Sequence, residues 1–460
     1  MPYREDVARA GLARSLFTVC APVLALFVAI APVSAQDASD EQERLHAQML
    51  RQPTNYEVTF AYVRVATARG DYEAAIAALE RILYYNPNLA AVKYELGTLY
   101  FKLRAFDMAK RYFKEALVTP GLDPVTRSRI EDYLPDTERQ TQRSRLAGFA
   151  QTGVRYQSNA NFAPASGLVR VGGQELGLPS TNTKTGDGNW FGLIGLSHDY
   201  DLNDSLGSTF ETRFTGYLTQ QFKLDDLNVG LVDGSAGIRI PITSEVFPGA
   251  SVKPYITGGN IWVGGNQYLA SGGAGIAFAL PANARLTFEP GFEWRHVDIS
   301  INTPVATPGV TASQLNEFST GNWYTAGLSV KYAIVETVKL QARGYYRRGE
   351  GAADFQDFDQ WVGEAALSFL VPPPFTWMPR HWTVTPFARY VQTDFDAPNP
   401  FIDPNTTRSD TTWTGGVIVD TPITKTFGLS TTFQYDKTTS TLPNFRQQNY
   451  TVLTGPTARF

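Results

Sequence analysis

The stretch from Asn322 to Arg347, NWYTAGLSVKYAIVETVKLQARGYYR, decides the fold. Tyr324, Ala326, Leu328, Val330 and Tyr332 alternate with Thr325, Gly327, Ser329 and Lys331. After a turn at Val335-Glu336 the pattern resumes, with Val338, Leu340, Ala342, Gly344 and Tyr346 set against Lys339, Gln341, Arg343, Tyr345 and Arg347. A period of two predicts an antiparallel hairpin with one apolar and one polar face. Each arm is about ten residues long, enough for a tilted strand to cross a bilayer. Aromatic side chains near the arm ends suit the membrane–water boundary.

The same alternation recurs from Ala147 to Phe460 in fourteen segments, beginning with 147–157, 189–200 and 207–218 and ending with 426–437 and 446–459. Links after odd-numbered segments tend to be long (158–188, 298–321, 349–359, 394–410), whereas those after even ones are mostly short, as at Leu202–Ser205, Pro281–Asn283 and Pro422–Lys425. Long loops on one side and tight turns on the other, with an even strand number, are the asymmetry of outer-membrane barrels. Phe460 supplies an aromatic C-terminus for the barrel-assembly machinery, although Thr454 and Pro456 interrupt the apolar series begun by Tyr450 and Val452. A soluble sandwich or propeller would need a second apolar face, which these segments lack.

Inward positions carry Glu211, Arg213, Glu289, Glu293, Arg295, Lys331, Arg343, Arg347, Glu364 and Arg389. Charges there require a polar interior. Their mixed sign fits either a lumen that passes a polar cargo or a set of ion pairs that satisfies a closed barrel.

Before the barrel the period becomes helical. Gly70, Tyr72, Ala75, Leu79 and Pro87 align with a second series, Leu96, Gly97, Tyr100, Phe106, Ala109, Phe113, Ala116 and Pro120, at the tetratricopeptide period of about 34 residues. Ala75 and Ala109 fall where paired helices cross closely. Two repeats rarely form a stable solenoid, so Glu41–Met49 and Val125–Leu134 are expected as flanking helices. By repeat position Phe60, Arg64, Tyr94, Thr98 and Phe101 should line the concave groove and bind an extended segment, with packing against the flanking helices as the other reading for Phe60 and Phe101. The polar run Pro135–Leu146 reads as a linker.

Arg4, Arg9 and Arg14 followed by an apolar stretch from Leu16 to Ile30 and small residues up to Ala35 form a secretory signal with cleavage expected after Ala35. The expected order is therefore a signal at 1–35, a helical-repeat domain at 36–134, a linker at 135–146 and a barrel at 147–460. The only cysteine, Cys20, lies in the signal, which suits an oxidising compartment. Beyond the signal, no apolar run is long enough for a membrane-spanning helix.

The formal charge of −4 and the lack of a basic tract argue against nucleic-acid binding. His46, His198, His296 and His381 show no metal-ligand spacing. Neither a Gly-x-Ser-x-Gly elbow nor a phosphate loop occurs, so no enzyme activity and no cofactor is expected. A Ser/His pair on the barrel rim would leave no fixed spacing in sequence.

At the domain junction, Pro124-Val-Thr-Arg-Ser-Arg-Ile-Glu-Asp-Tyr-Leu134 followed by Gly153-Val-Arg-Tyr-Gln-Ser158-Asn159-Ala-Asn161 resembles the surface lipoprotein assembly modifiers, the Slam-type proteins. The resemblance implies a periplasmic tetratricopeptide domain and a fourteen-stranded barrel in outer-membrane lipid. It also implies transport of lipoproteins or secreted proteins to the cell surface, the repeats engaging cargo or a chaperone. The chain departs from that pattern in its few repeats and weak C-terminal signal. Two other functions fit the architecture: an exopolysaccharide export porin with a repeat scaffold, and a passive porin.

Overall fold

The computed structural model describes residues 35–52, 55–179, 183–300, 319–373 and 380–460. The proposed signal lies outside them, apart from Ala35. The chain forms two units that divide after Thr141.

The first unit is helical: α1 (Ala35–Arg51), α2 (Tyr56–Arg69), α3 (Tyr72–Tyr85), α4 (Ala90–Lys102), α5 (Phe106–Val118) and α6 (Pro124–Gln140). Asn55 and Asp71 start α2 and α3 by accepting hydrogen bonds from the backbone N–H groups of Val58 and Ala74, which satisfies donors the helix itself cannot. At the end of α2, Gly70 takes φ 81°, and the N–H groups of Gly70 and Asp71 return to the carbonyls of Thr67 and Ala66. The same closure follows α4, where Arg104 at φ 59° and Ala105 donate to Phe101 and Tyr100. The cap is thus conserved in geometry but not in residue type, and Arg104 occupies a conformation that glycine takes without strain.

Ala75 and Ala109 are 0% exposed, as expected for close crossings. Gly97 is tighter still, since a Cβ there would lie 2.5 Å from Cδ1 of Phe113. One apolar cluster joins α1 to α5 around Ala66, Leu79, Ile82 and Leu96. A second gathers Ala109, Phe113 and Ala116 around Ile130 of α6. The flanking helices therefore form, and α6 completes the second repeat.

The linker read at 135–146 is corrected by the structure. Pro135 sits inside α6, which continues to Gln140, and Lys114 and Lys110 of α5 hold Glu138 at 2.9 and 3.7 Å. The first strand begins at Ser144, leaving only 141–143 between the elements. Polar composition misled because these turns contact partners through charge and a single buried Thr137, not through an apolar stripe.

The second unit is a closed barrel of fourteen antiparallel strands. Its strands are β1 (Ser144–Gln157), β4 (Asp187–Asp201), β5 (Thr209–Gln221), β6 (Val229–Pro241), β7 (Ser251–Val263), β8 (Asn266–Pro281), β9 (Leu286–Ile299), β10 (Gly321–Val335), β11 (Val338–Gly351), β12 (Phe358–Val371), β13 (Trp382–Phe395), β14 (Ser409–Pro422), β15 (Phe427–Ser440) and β16 (Gln447–Arg459). A short hairpin, β2 (Leu168–Val171) with β3 (Gln174–Gly177), stands in the first long loop. The fourteen alternating segments correspond to these fourteen barrel strands. Loop asymmetry holds in outline, with exceptions: a two-residue turn at Gly264-Gly265, and on the other side longer stretches of chain between strands, of which 242–250 is described throughout.

β16 closes on β1, with register from Gln157↔Thr451 to Val154↔Thr454 and again from Gln151↔Thr457 to Phe149↔Arg459. Between these runs Gly153 and Gly455 approach so closely that a Cβ on Gly455 would lie 1.8 Å from the carbonyl oxygen of Thr152. Phe460 extends the seam by exchanging two backbone hydrogen bonds with Gly148, at 2.9 and 3.1 Å.

The outer surface is apolar. Ile256, Phe427 and Leu218 are 67%, 61% and 60% exposed, a surface that belongs in lipid rather than water. Outward aromatics pair across strands near one end of the barrel: Tyr346 with Trp361 at 4.6 Å, Tyr390 with Trp413 at 4.7 Å and Tyr435 with Tyr450 at 4.6 Å. Tyr324 and Tyr332 on one face of β10 lie eight residues apart, about 20 Å along the bilayer normal at the usual strand tilt.

Two substitutions test the helical unit. Gly97→Ala should cost about 1–3 kcal/mol by forcing the Phe113 ring aside. Arg104→Gly should stabilise by roughly 0.5–1 kcal/mol through relief of the left-handed backbone. Urea unfolding of the full chain, followed on the helical signal, checks both.

Candidate functional site

The residues expected in the repeat groove separate into two groups. Phe101 is edge-on to Phe106 and Tyr133, both near 5.5 Å between ring centres (5.4 and 5.5 Å). Tyr94 lies 6.3 Å from Phe113. Phe60 packs against the first apolar cluster, and Thr98 donates its hydroxyl to the carbonyl of Tyr94 at 3.1 Å. Arg64 is exposed. Of the expected aromatics, Tyr94 and Phe101 share the second cluster with Tyr133 of α6, so the helix that stabilises the repeats also covers part of their face.

Charge survives beside that packing. Burial raises the Glu95 carboxyl, against the pull of Lys102 and Arg129. Glu80 accepts hydrogen bonds from Tyr100 at 2.8 Å and Tyr112 at 3.2 Å; burial and that carboxylate push the Tyr100 phenol up to about 12. These bonds tie α3 to α4 and α5.

In the barrel, register places every expected inward charge on the lumen face, and most are in ion pairs. Glu211, 7% exposed, is held by Arg239, by Lys253 at 3.2 Å and by Arg213 at 3.7 Å. Arg213 also meets Asp199 at 2.6 Å. Arg295 bridges Asp233 at 2.7 Å and Glu293 at 2.8 Å, and Tyr255 donates to Glu293 at 3.0 Å. Lys331 pairs with Glu289 at 2.7 Å and Arg389 with Glu364 at 3.1 Å. The Lys331 and Arg389 side chains keep 56% and 46% of their exposure, so the lumen wall faces solvent. Arg343 and Arg347 differ: among the described residues neither has a carboxylate partner, and both lie against aromatic rings.

Asp233, Arg239 and Lys253 were not singled out in the sequence. They are inward residues of β6 and β7, where the glycines Gly234, Gly237, Gly258 and Gly259 dilute the alternation that would have marked them.

Among the described residues one Ser/His pair exists, Ser144 Oγ with His198 Nε2 at 2.9 Å. Among the described residues no carboxylate engages the other ring nitrogen of His198, so the group lacks the orienting acid of a hydrolytic triad. No set of three His, Cys, Asp or Glu side chains among the described residues could hold a metal ion.

The Tyr156-x-Ser158-Asn159-x-Asn161 stretch folds the first long loop over the seam. Asn449 Oδ1 accepts from the Asn159 N–H at 2.9 Å, and the Tyr450 N–H donates to Ser158 Oγ at 2.9 Å. Asn159 also bonds both backbone groups of Ala163, and Asn161 spans to Thr183 and Thr185. Further along, the Gly172 and Gly173 N–H groups reach the carbonyls of Phe401 and Ile402, and Arg170 pairs with Asp403 at 2.6 Å. The loop is thereby clasped across the mouth-side loops 396–408 and 441–446.

Backbone donation from Asn405, the Thr406 hydroxyl and Arg170 hold the Asp403 carboxyl below the usual aspartate range. A depressed folded value means the clasp's contribution is complete above about pH 4 and is lost only as pH falls through the lower folded value. Asp403→Asn should remove it at neutral pH and speed tryptic cleavage after Arg170, read by mass spectrometry of the released fragments.

Comparison with known proteins places the tetratricopeptide repeat family model on residues 60–89 and 90–117. No curated protein matches the chain. Among solved structures, the chain is similar to the anion-selective porin from Comamonas acidovorans, with 10% identity, 69% of this chain and 99% of that one covered, and a TM-score of 0.33. It is similar to Acinetobacter baumannii OccAB3, with 9% identity, 69% and 99% coverage and a TM-score of 0.34. For CdiB from Acinetobacter baumannii the values are 11%, 69% and 60%, and 0.33. Likenesses at this level carry no argument about what this chain does. Tetratricopeptide repeats followed by a closed fourteen-stranded barrel are what the chain contains.

Proposed function

We propose that this chain is an outer-membrane translocon-like protein of the surface lipoprotein assembly modifier type. Its repeats would stand in the periplasm, receive a lipoprotein or another secreted protein, and deliver it to the barrel for passage to the cell surface. The observation that carries the reading is the covalent order: a repeat domain of the kind that binds extended segments leads through residues 141–143 into the first strand of a solvent-lined barrel. With the repeats periplasmic, β1 runs outward and the clasped long loops lie outside. The partially covered second repeat leaves the exposed Arg64 side of α2 as the better cargo surface. Outer-membrane lipid surrounds the barrel, and the barrel-assembly machinery inserts it.

The test is a photo-crosslinking residue at Arg64 in living cells, with captured proteins identified by mass spectrometry. Capture of one or a few secreted proteins or lipoproteins, whose surface display falls when the gene is deleted, is the expected outcome. Capture of glycan-synthesis components would replace the reading with polysaccharide export. An absence of any captured protein, with unchanged surface display on deletion, would leave a porin.

A further inference from the structure

We propose that the inner face of β11 is an anion-binding stripe, and that the lumen takes an extended acidic polypeptide in preference to a cationic one. The proposal deepens the passage reading of the barrel and rests on it. Lys339, Arg343 and Arg347 share the lumen face of β11, each four residues from the next, with Gln341 and Tyr345 between them. The stripe therefore repeats about every 13 Å and spans about 26 Å along the strand, without an acid on that face.

The carboxylates of β9 and of the adjoining β12 are engaged elsewhere. Glu289 is taken by Lys331, Glu364 by Arg389, and Glu293 by Arg295 and the Tyr255 hydroxyl. Among the described residues none of the three β11 cations makes an ion pair. By contrast Arg239 and Arg295, the same residue type on β6 and β9, are neutralised. Arg155 on β1, 5.9 Å from the Tyr217 ring, also lacks an ion pair among the described residues, but it stands singly, whereas β11 carries three such cations in line.

The two arginines are nevertheless held in place. Arg343 lies 4.7 Å from the centre of the Tyr345 ring. Arg347 sits between Tyr345 at 5.5 Å and Trp323 at 4.9 Å, and its Nε donates to Thr325 Oγ1 at 3.1 Å. An aromatic face attracts a cation without cancelling its charge, so the guanidinium groups are positioned while their remaining N–H donors stay available to a carboxylate. An extended polypeptide rises at the same rate as the strand it passes, so acids four residues apart on a cargo would match the stripe.

The full-length chain in planar bilayers under a potassium chloride gradient tests this. Expected are an anion-selective reversal potential and a current blocked by polyglutamate but not by polylysine. Lys339→Gln/Arg343→Gln/Arg347→Gln should move selectivity toward unity and abolish the block, while the charge-conserving Arg343→Lys/Arg347→Lys should retain both. Heat-modifiable gel mobility confirms that each variant is a folded barrel. Cation selectivity of the unaltered chain, an unchanged triple variant, absence of polyglutamate block, or a barrel that carries no current would each overturn the proposal. Crosslinking at Arg64 is independent of these readouts, so cargo capture without anion selectivity would sink the stripe alone.

Discussion

The constraint on which the barrel depends is that backbone N–H and C=O groups cannot be left unpaired in hydrocarbon. Every strand must find two neighbours, which makes the meeting of β1 and β16 the decisive contact. That seam is built from what appear in sequence as defects. Gly153 and Gly455 let the two backbones approach where no side chain would fit. Pro456, which has no N–H to donate, lies opposite Thr152, where the paired run is interrupted without a change of register. Phe460 then resumes pairing with Gly148 at the end, and the first loop crosses the other end through Asn159 and Asn449. The irregular centre of the seam is thus fastened at both ends.

Closure creates the second problem, a lumen lined with charge. The ion pairs around Glu211 and Arg295 satisfy a carboxylate or guanidinium that would be costly to leave alone where burial is substantial. Where the lumen is open to solvent, pairs such as Lys331 with Glu289 are worth little energy but set the local potential. The β11 stripe has meaning against this background: most other lumen charges are paired, whereas three unpaired cations follow one another on this strand.

In the helical unit the limiting condition is the number of repeats. A solenoid of two pairs exposes an apolar face at each end, and α1 and α6 cover those faces. Ile130, fully buried, and Tyr133, stacked on Phe113 at 5.6 Å, do this for the second pair. The consequence is a trade between stability and accessible groove, because the rings that could grip a cargo at Phe101 and Tyr94 also meet the capping helix.

Fold class was legible in the order of the residues. A strict period of two, as in Tyr324 to Tyr332, can bury one face in lipid and wet the other only in a closed barrel, and small residues recurring at Ala75 and Ala109 require close helix crossings. It also placed Glu211, Arg295 and Arg343 on the inner face, because alternation sets which side a residue takes. What alternation cannot state is which charge lies opposite which. Arg239 meets Glu211 from a neighbouring strand, 28 positions away in sequence, and Arg343 is left with an aromatic ring; both outcomes depend on register and strand order. The end of α6 and the start of β1 were hidden for a related reason: at Glu138 and Ser144 the stabilising partners, Lys114 and His198, are distant in sequence and leave no local pattern. These points were settled by folding, because pairing across strands and helices is a property of the folded neighbourhood and not of the chain's period.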